Sequence, residues 1–165
     1  MPIQIRPFQH DDVPHILEIV NYHILQTTAI YDYDARTLEE QIQILKNKSN
    51  NNFPFLVAES DLKIVGFGTF DQFRFKKAYQ FTVEHSVYVH PNFQGFGIGK
   101  LLLSELISIA KTQKIHTMIA VIDSANQNSV DFHTRFGFKT VGIIKESGFK
   151  FNTWLDSILM QLILN

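Results

Sequence analysis

Glu84, Ser86 and Tyr88 recur at alternate positions of the segment FTVEHSVYV. Its β-branched residues suit a strand, and alternation sets those three on one face, with Val83, His85, Val87 and Val89 on the other. A carboxylate sharing a face with a hydroxyl and a phenol has the chemistry of a proton acceptor. A turn at Pro91 and Asn92 follows, then Gln94, Gly95, Gly97 and Gly99, then a helix whose Leu102, Leu106, Ile109 and Ala110 recur at helical spacing. Glycines allow close approach, and the unpaired N–H groups of a first helical turn point at whatever occupies the loop. Such a junction binds anions, and a phosphate is its natural guest.

Two common phosphate motifs fail here. The glycines are spaced GxGxG instead of GxGxxG, and no acidic residue closes a parallel βαβ unit about 20 residues on, as a dinucleotide fold requires. A Walker loop needs Ser or Thr after its lysine, and Lys100 is followed by Leu101. What the residues spell is QxxGxGK, from Gln94 to Lys100, behind a strand that bears a glutamate.

The remaining elements must position these groups. Ile3 and Ile5 open a short strand ending at Pro7. Asp11 and Asp12 suit the start of a helix over about 10–25, with Val13, Ile16, Leu17, Val20 and Ile24 as its stripe. Residues 27–36, with Tyr31 and Tyr33 among acids, read as a loop able to wall a pocket. Thr37 and Glu40 form a capping box for a second helix, which the spacing ends in the polar connection KNKSNNN. Residues 53–59 and 63–70 form a hairpin whose Gly66 and Gly68 leave one side bare.

In residues 71–80, Phe73, Phe75 and Tyr79 interleave with Arg74, Lys76 and Lys77. Arg74, a planar fork suited to a carboxylate, is the candidate acceptor ligand, with Tyr31, Phe75, Phe81 and Glu84 around it. A solvated basic turn is the competing reading of the lysines. A strand over 117–123, a helix over 126–136 ended by Gly137, and strands over 140–145 and 154–164 joined through ESGFKFN complete the chain. The pattern predicts one α+β domain over residues 1–165.

Composition narrows the function. The chain has 165 residues, a net charge of −1 and no cysteine. Nucleic acid is therefore not the expected partner, and disulfides, thiolate catalysis and sulfur-ligated zinc are excluded. The histidines form no HxH or HxxxH ligand set with acids, so no metal is assigned. No leader pattern and no run of 18 apolar residues predict a cytoplasmic protein that does not enter the membrane.

Five segments carry a resemblance: IVNYHI at 19–24, TVEHSVYVHP at 82–91, QGFGIGK at 94–100, NxNSxxxHxxxGF at 126–138 and GFKFNTWLD at 148–156. Over nearly its whole length the chain resembles the GNAT superfamily of acetyl-CoA-dependent N-acetyltransferases, and within it the phosphinothricin and methionine sulfone/sulfoximine acetyltransferases. That resemblance implies a mostly antiparallel central sheet flanked by about four helices, acetyl-CoA as co-substrate, a small-molecule amine acceptor, a homodimer, and a role in herbicide or antibiotic resistance. It also implies that the backbone of Val87, Tyr88 and Val89 pairs with the pantetheine arm. Gln94, Gly95, Phe96, Gly97, Ile98, Gly99 and Lys100 would hold the pyrophosphate and Asn126 the pantetheine.

An amine near neutral pH is mostly ammonium, so its attack requires a base, for which Glu84 is the candidate. His133 stands where the broader superfamily usually has Tyr. Two readings of it remain open: an acid for the departing thiolate, or a satisfied core histidine. Tyr88 is the rival acid. Three functions are consistent with the sequence: transfer to a small amino acid or analogue by direct attack in a ternary complex, transfer to a protein or peptide, and non-catalytic CoA sensing. Glu84 together with an intact loop favours the first.

Overall fold

The computed structural model describes residues 2–164. Seven strands form one sheet: β1 (Gln4–Pro7), β2 (Phe55–Ser60), β3 (Lys63–Gln72), β4 (Thr82–Val89), β5 (Thr117–Asp123), β6 (Lys139–Lys150) and β7 (Thr153–Ile163). They lie in the order β1-β2-β3-β4-β5-β7-β6. Every neighbouring pair is antiparallel except β4 and β5. Four helices complete the fold: α1 (Val13–Gln26), α2 (Leu38–Asn50), α3 (Ile98–Thr112) and α4 (Gln127–Arg135). This is the mixed α+β architecture that the sequence pattern predicts.

The helices sit on opposite faces of the sheet because each strand alternates. On one face Ile16, Ile19, Val20 and Ile24 of α1 and Leu45 of α2 pack on Phe55, Val57 and Phe67, with Tyr88 at the margin. On the other, Leu102, Leu103 and Leu106 of α3 pack on Leu56, Val65, Phe70, Val83 and Met118. Each fully buried aliphatic side chain contributes about 1.5–3 kcal/mol. The side of β3 left bare by its glycines is where α3 comes close. A Cβ on Gly66 would stand 2.9 Å from the Tyr88 carbonyl oxygen and 3.1 Å from Ile98, and one on Gly68 would stand 3.1 Å from Leu106.

Several boundaries differ from the sequence reading. Residues 10–12 form a single 3₁₀ turn before α1 begins, and the buried Asp12 accepts from Gln9 N–H and from the Arg6 guanidinium. The capping box holds, with Glu40 N–H donating to Thr37 Oγ1 at 3.2 Å and Thr37 N–H to Glu40 Oε2 at 2.8 Å. But α2 runs on to Asn50 through the supposed polar connection, because Lys48 is buried and ion-paired with Asp71. Likewise β6 continues to Lys150, leaving only Phe151 and Asn152 as the turn into β7, both in the left-handed region. Finally, β4, α3 and β5 do form a parallel crossover, and an acid, Asp123, closes it.

Candidate active site

The strands β4 and β5 pair only briefly, Thr82 to Glu84 against Thr117 to Ile119. Peptide directions along β4 follow from its hydrogen bonds. Even-numbered residues face β3: Thr82 carbonyl accepts from Phe73 N–H, and His90 N–H donates to Val65 carbonyl, both at 2.9 Å. Odd-numbered residues face β5: Phe81 carbonyl accepts from His116 and Thr117 N–H at 2.9 and 3.0 Å. Past Glu84 the ladder with β5 ends, so the Val87 N–H and C=O open into the gap between the strands. The Val89 carbonyl is taken by the His23 Nε2–H at 3.1 Å. An unpaired strand edge thus lines a cleft of about 630 Å³, available to an extended ligand that supplies the missing ladder.

At one end of this cleft lies the glycine loop. Gly95 and Gly97 have φ of 84° and 78°, and a Cβ on either would meet nothing within 4 Å. Both open onto free space. The first α3 bond joins Leu101 N–H to Gly97 carbonyl, which leaves the N–H groups of Ile98, Gly99 and Lys100 without helical partners. Loop and cleft together fit a molecule with a pyrophosphate and an extended amide arm. Among the loop residues, Gln94 and Gly99 line the cleft, Phe96 and Lys100 are exposed, and Ile98 is buried under Gly66, so that only its backbone is free for a ligand. Asn126, the N-cap of α4, also lines the cleft, its side chain accepting from Ser129 N–H.

The carboxyl of Glu84 lies half-buried in the same cleft, on the face of the sheet covered by α1 and α2. Burial raises its pKa above the usual carboxylate value; the Arg74 charge pulls it down and the Asp71 charge pushes it up. Tyr88 and Tyr31 line the cleft as well. Burial raises the Tyr88 phenol, whose hydroxyl donates to Ala29 carbonyl at 3.5 Å. The structure does not bring Arg74, Phe75 or Phe81 to the cleft wall. They stand exposed on the segment between β3 and β4, Arg74 over the Phe73 ring at 4.8 Å and Phe75 fully exposed.

His133 faces the cleft from α4, and its two ring nitrogens are both engaged. Nδ1 lies 2.6 Å from the Ser129 carbonyl oxygen and Nε2 lies 3.1 Å from His85 Nε2. A carbonyl only accepts, so Nδ1 carries the His133 proton and Nε2 accepts from His85. That leaves His85 Nδ1 buried without a partner. Burial, with His133 alongside, takes His85 down to about 3, and burial lowers His133 as well. The pair is neutral and pins α4 to β4.

Sequence reasoning missed three residues. Asp123, at the end of β5, lines the cleft, where it accepts from Thr28 Oγ1 and from Ala125 N–H; its DSAN context was a readable turn signal. Gly148 admits the Tyr31 ring, since a Cβ there would collide with it. Lys150 is buried at the end of β6, its ammonium donating to the carbonyls of Ile24, Thr27 and Ile30. These join the end of α1 to the 27–31 segment that walls the cleft. No local pattern marks that lysine.

Comparison with known proteins places this arrangement. The family model of the acetyltransferase (GNAT) domain matches residues 5–159. The chain belongs to the GNAT acetyltransferase family. Among GNAT relatives, the L-amino acid N-acyltransferase MnaT of Escherichia coli (strain K12) is 37% identical over 163 residues, 99% of this chain and 95% of that protein. The L-methionine sulfoximine/L-methionine sulfone acetyltransferase of Salmonella typhimurium is 36% identical, over 93% of this chain and 90% of that one. A crystal structure of a GNAT phosphinothricin acetyltransferase from Sinorhizobium meliloti in complex with AcCoA has a TM-score of 0.96 and 34% identity, covering 100% of this chain and 90% of that one. This GNAT protein is therefore an N-acetyltransferase whose acyl donor is acetyl-CoA.

The Lys150 clamp has a measurable consequence. Lys150→Met leaves the buried Ile24 carbonyl and the partly buried Thr27 and Ile30 carbonyls without their donor, and urea unfolding is expected to report a loss of about 2–4 kcal/mol. An unchanged unfolding midpoint would show that the clamp carries no stability.

Proposed function

We propose that this enzyme acetylates the α-amine of a small amino acid or amino-acid analogue by direct attack, with both substrates bound. The observation that carries the reading is Glu84, held half-buried where β4 and β5 part, in the same cleft as the open Val87 backbone. The acceptor class draws on the relatives, named for L-amino acids and for methionine sulfoximine and sulfone, and on the phosphinothricin acetyltransferase of like fold.

Acetyl-CoA supplies an activated carbonyl and a thiolate leaving group. Val87 offers its N–H and C=O and Val89 its N–H to the pantetheine, residues 94–100 cradle the pyrophosphate, and Asn126 closes the far side. Glu84 takes the ammonium proton, directly or through a water, freeing the nitrogen lone pair to attack the carbonyl carbon. The Val87 N–H donates to the carbonyl oxygen as negative charge builds there. The C–S bond then breaks and its electron pair leaves on sulfur; the second amine proton leaves to solvent, the thiolate is reprotonated, and Glu84 returns its proton to solvent.

His133 positions α4 in this scheme and is not the acid, since each of its nitrogens is occupied in the neutral pair. Arg74, whose charge reaches Glu84 from the segment after β3, would receive the acceptor's carboxylate, and Tyr31 would flank the acceptor in the cleft; Phe75 and Phe81 stand clear of the cleft wall. The enzyme works as a cytoplasmic homodimer. Val141, Ile143 and Ile144 are 56%, 53% and 50% exposed on the edge strand β6, an apolar edge that a second copy would cover.

Labelled acetyl-CoA offered to free amino acids, methionine sulfone, methionine sulfoximine, phosphinothricin and peptides should label the free amino acids or analogues. Label on peptides alone, or on nothing, overturns the acceptor class. Glu84→Gln should lower kcat/KM by about 10²–10⁴ at neutral pH, with the residual rate climbing about tenfold per pH unit as the free amine fraction grows. A reduced rate that keeps the wild-type pH dependence would move the base elsewhere. Sedimentation equilibrium should give twice the chain mass, and a monomer at micromolar concentration removes the dimer.

A further inference from the structure

The reading of Glu84 as base leaves unexplained why a lysine is buried nearby on α2. In the β3–β4 ladder Asp71 stands directly opposite Glu84. Directly opposed residues share a face, their Cβ atoms about 4.5–5.5 Å apart. The two carboxylates therefore project together toward α1 and α2. Asp71 is ion-paired with Lys48 Nζ, and Lys48 is only 7% exposed although its partner is largely in solvent. Burying an ammonium is unfavourable unless it is compensated. Among the described residues, the carboxylate that compensates it is the one facing the base.

We propose that the Lys48–Asp71 ion pair is a positioning device for Glu84: Asp71 places a second carboxylate against the base, and Lys48 holds that carboxylate in place and limits how far its charge acts. This inference rests on Glu84 being the base. The charged and titratable groups on the same face are Asp71 from β3, Arg74 from the following segment, Lys48 from α2, His23 from α1, Tyr31, Asp32 and Arg36 from the segment between α1 and α2, Tyr88 from β4 and Asp123 from β5. Arg74 favours the ionised Glu84 and Asp71 disfavours it. Asp71 thus offsets the cation that receives the acceptor, keeping the carboxylate basic enough to accept an ammonium proton.

The signs follow from the charges. Removing the Asp71 charge takes a like charge away from Glu84 and leaves Lys48 uncompensated, and both changes favour the ionised Glu84. Removing Lys48 leaves Asp71 uncompensated, which favours the protonated form. The acid limb of kcat/KM should move down by about half to one pH unit in Asp71→Asn and up by a similar amount in Lys48→Met. Asp71→Glu should return it toward the wild type. A side chain that only supported the fold would lower the rate at every pH without moving the limb.

The experiment is the pH profile of kcat/KM in these variants beside a carbon-13 titration of the Glu84 carboxyl in the acceptor-free protein. Opposite shifts of Glu84 in Asp71→Asn and Lys48→Met, seen in both measurements, support the proposal. A Glu84 titration that moves in neither variant, or in the same direction in both, overturns it. Asp71 is exposed, so if Lys48→Met does not fold, the direction of Asp71→Asn and its reversal in Asp71→Glu decide alone. Glu84→Gln separates the two readings: if it keeps the wild-type acid limb, Glu84 is not the base, while the carboxyl titration still reports whether Asp71 and Lys48 act on it.

Discussion

The parting of β4 from β5 after Glu84 is the constraint on which the site depends. Parallel neighbours in a sheet normally keep their ladder, because an abandoned N–H or C=O must find another partner. Here the pairing stops after three residue pairs. The crossover through α3 brings β5 back alongside β4, so both strands line one cleft while their far ends stay unpaired. The open Val87 peptide and the Glu84 carboxyl then occupy successive levels of the same strand, and the glycine loop follows directly from its end. The proposed base, donor edge and anion loop therefore follow one another in sequence and in space.

The two faces of the sheet divide the electrostatic work. On the α1/α2 face, Glu84 feels the opposed charges of Arg74 and Asp71, and Asp71 is itself paired with the buried Lys48, so charge is present but balanced. On the α3/α4 face, the buried His85–His133 pair is neutral, and its hydrogen bonds serve to seat α4 against β4. Burial explains both outcomes. The same desolvation that raises a carboxylate's pKa lowers an imidazole's, so one face keeps a carboxylate more ready to hold a proton and the other excludes charge. Lys150 is a third solution, a buried ammonium with no paired carboxylate among the described residues, satisfied by backbone carbonyls at and just beyond the end of α1, with the Asp32 charge favouring its protonated form.

What was legible in the sequence was whatever is local. The strand from Val83, the glycine loop and the stripe of α3 all follow from spacing within about 30 residues. The alternation that set Glu84 apart from His85 survives intact in the fold. The errors lie where a distant partner decides. The end of α2 was misjudged because the partner of Lys48 lies 23 residues away, and the reach of β6 was missed with the Lys150 clamp, whose farthest acceptor is 126 residues back. Alternation put His85 on the apolar face, but the histidine 48 residues on that pairs with it could be found only in three dimensions. Composition grouped Arg74, Phe75 and Phe81 without aiming them: the Arg74 charge reaches Glu84, while the side chains of all three stand outside the cleft wall.

The central claim, that the open edge of β4 receives the donor, is tested most directly by titrating acetyl-CoA into nitrogen-15-labelled protein and following the amides of β4. The Val87 and Val89 amides should shift and gain protection from hydrogen exchange on binding, while those of Glu84 and Ser86, already turned toward β3, keep their protection. Saturable acetyl-CoA binding that leaves the Val87 amide exchanging as before would contradict the account.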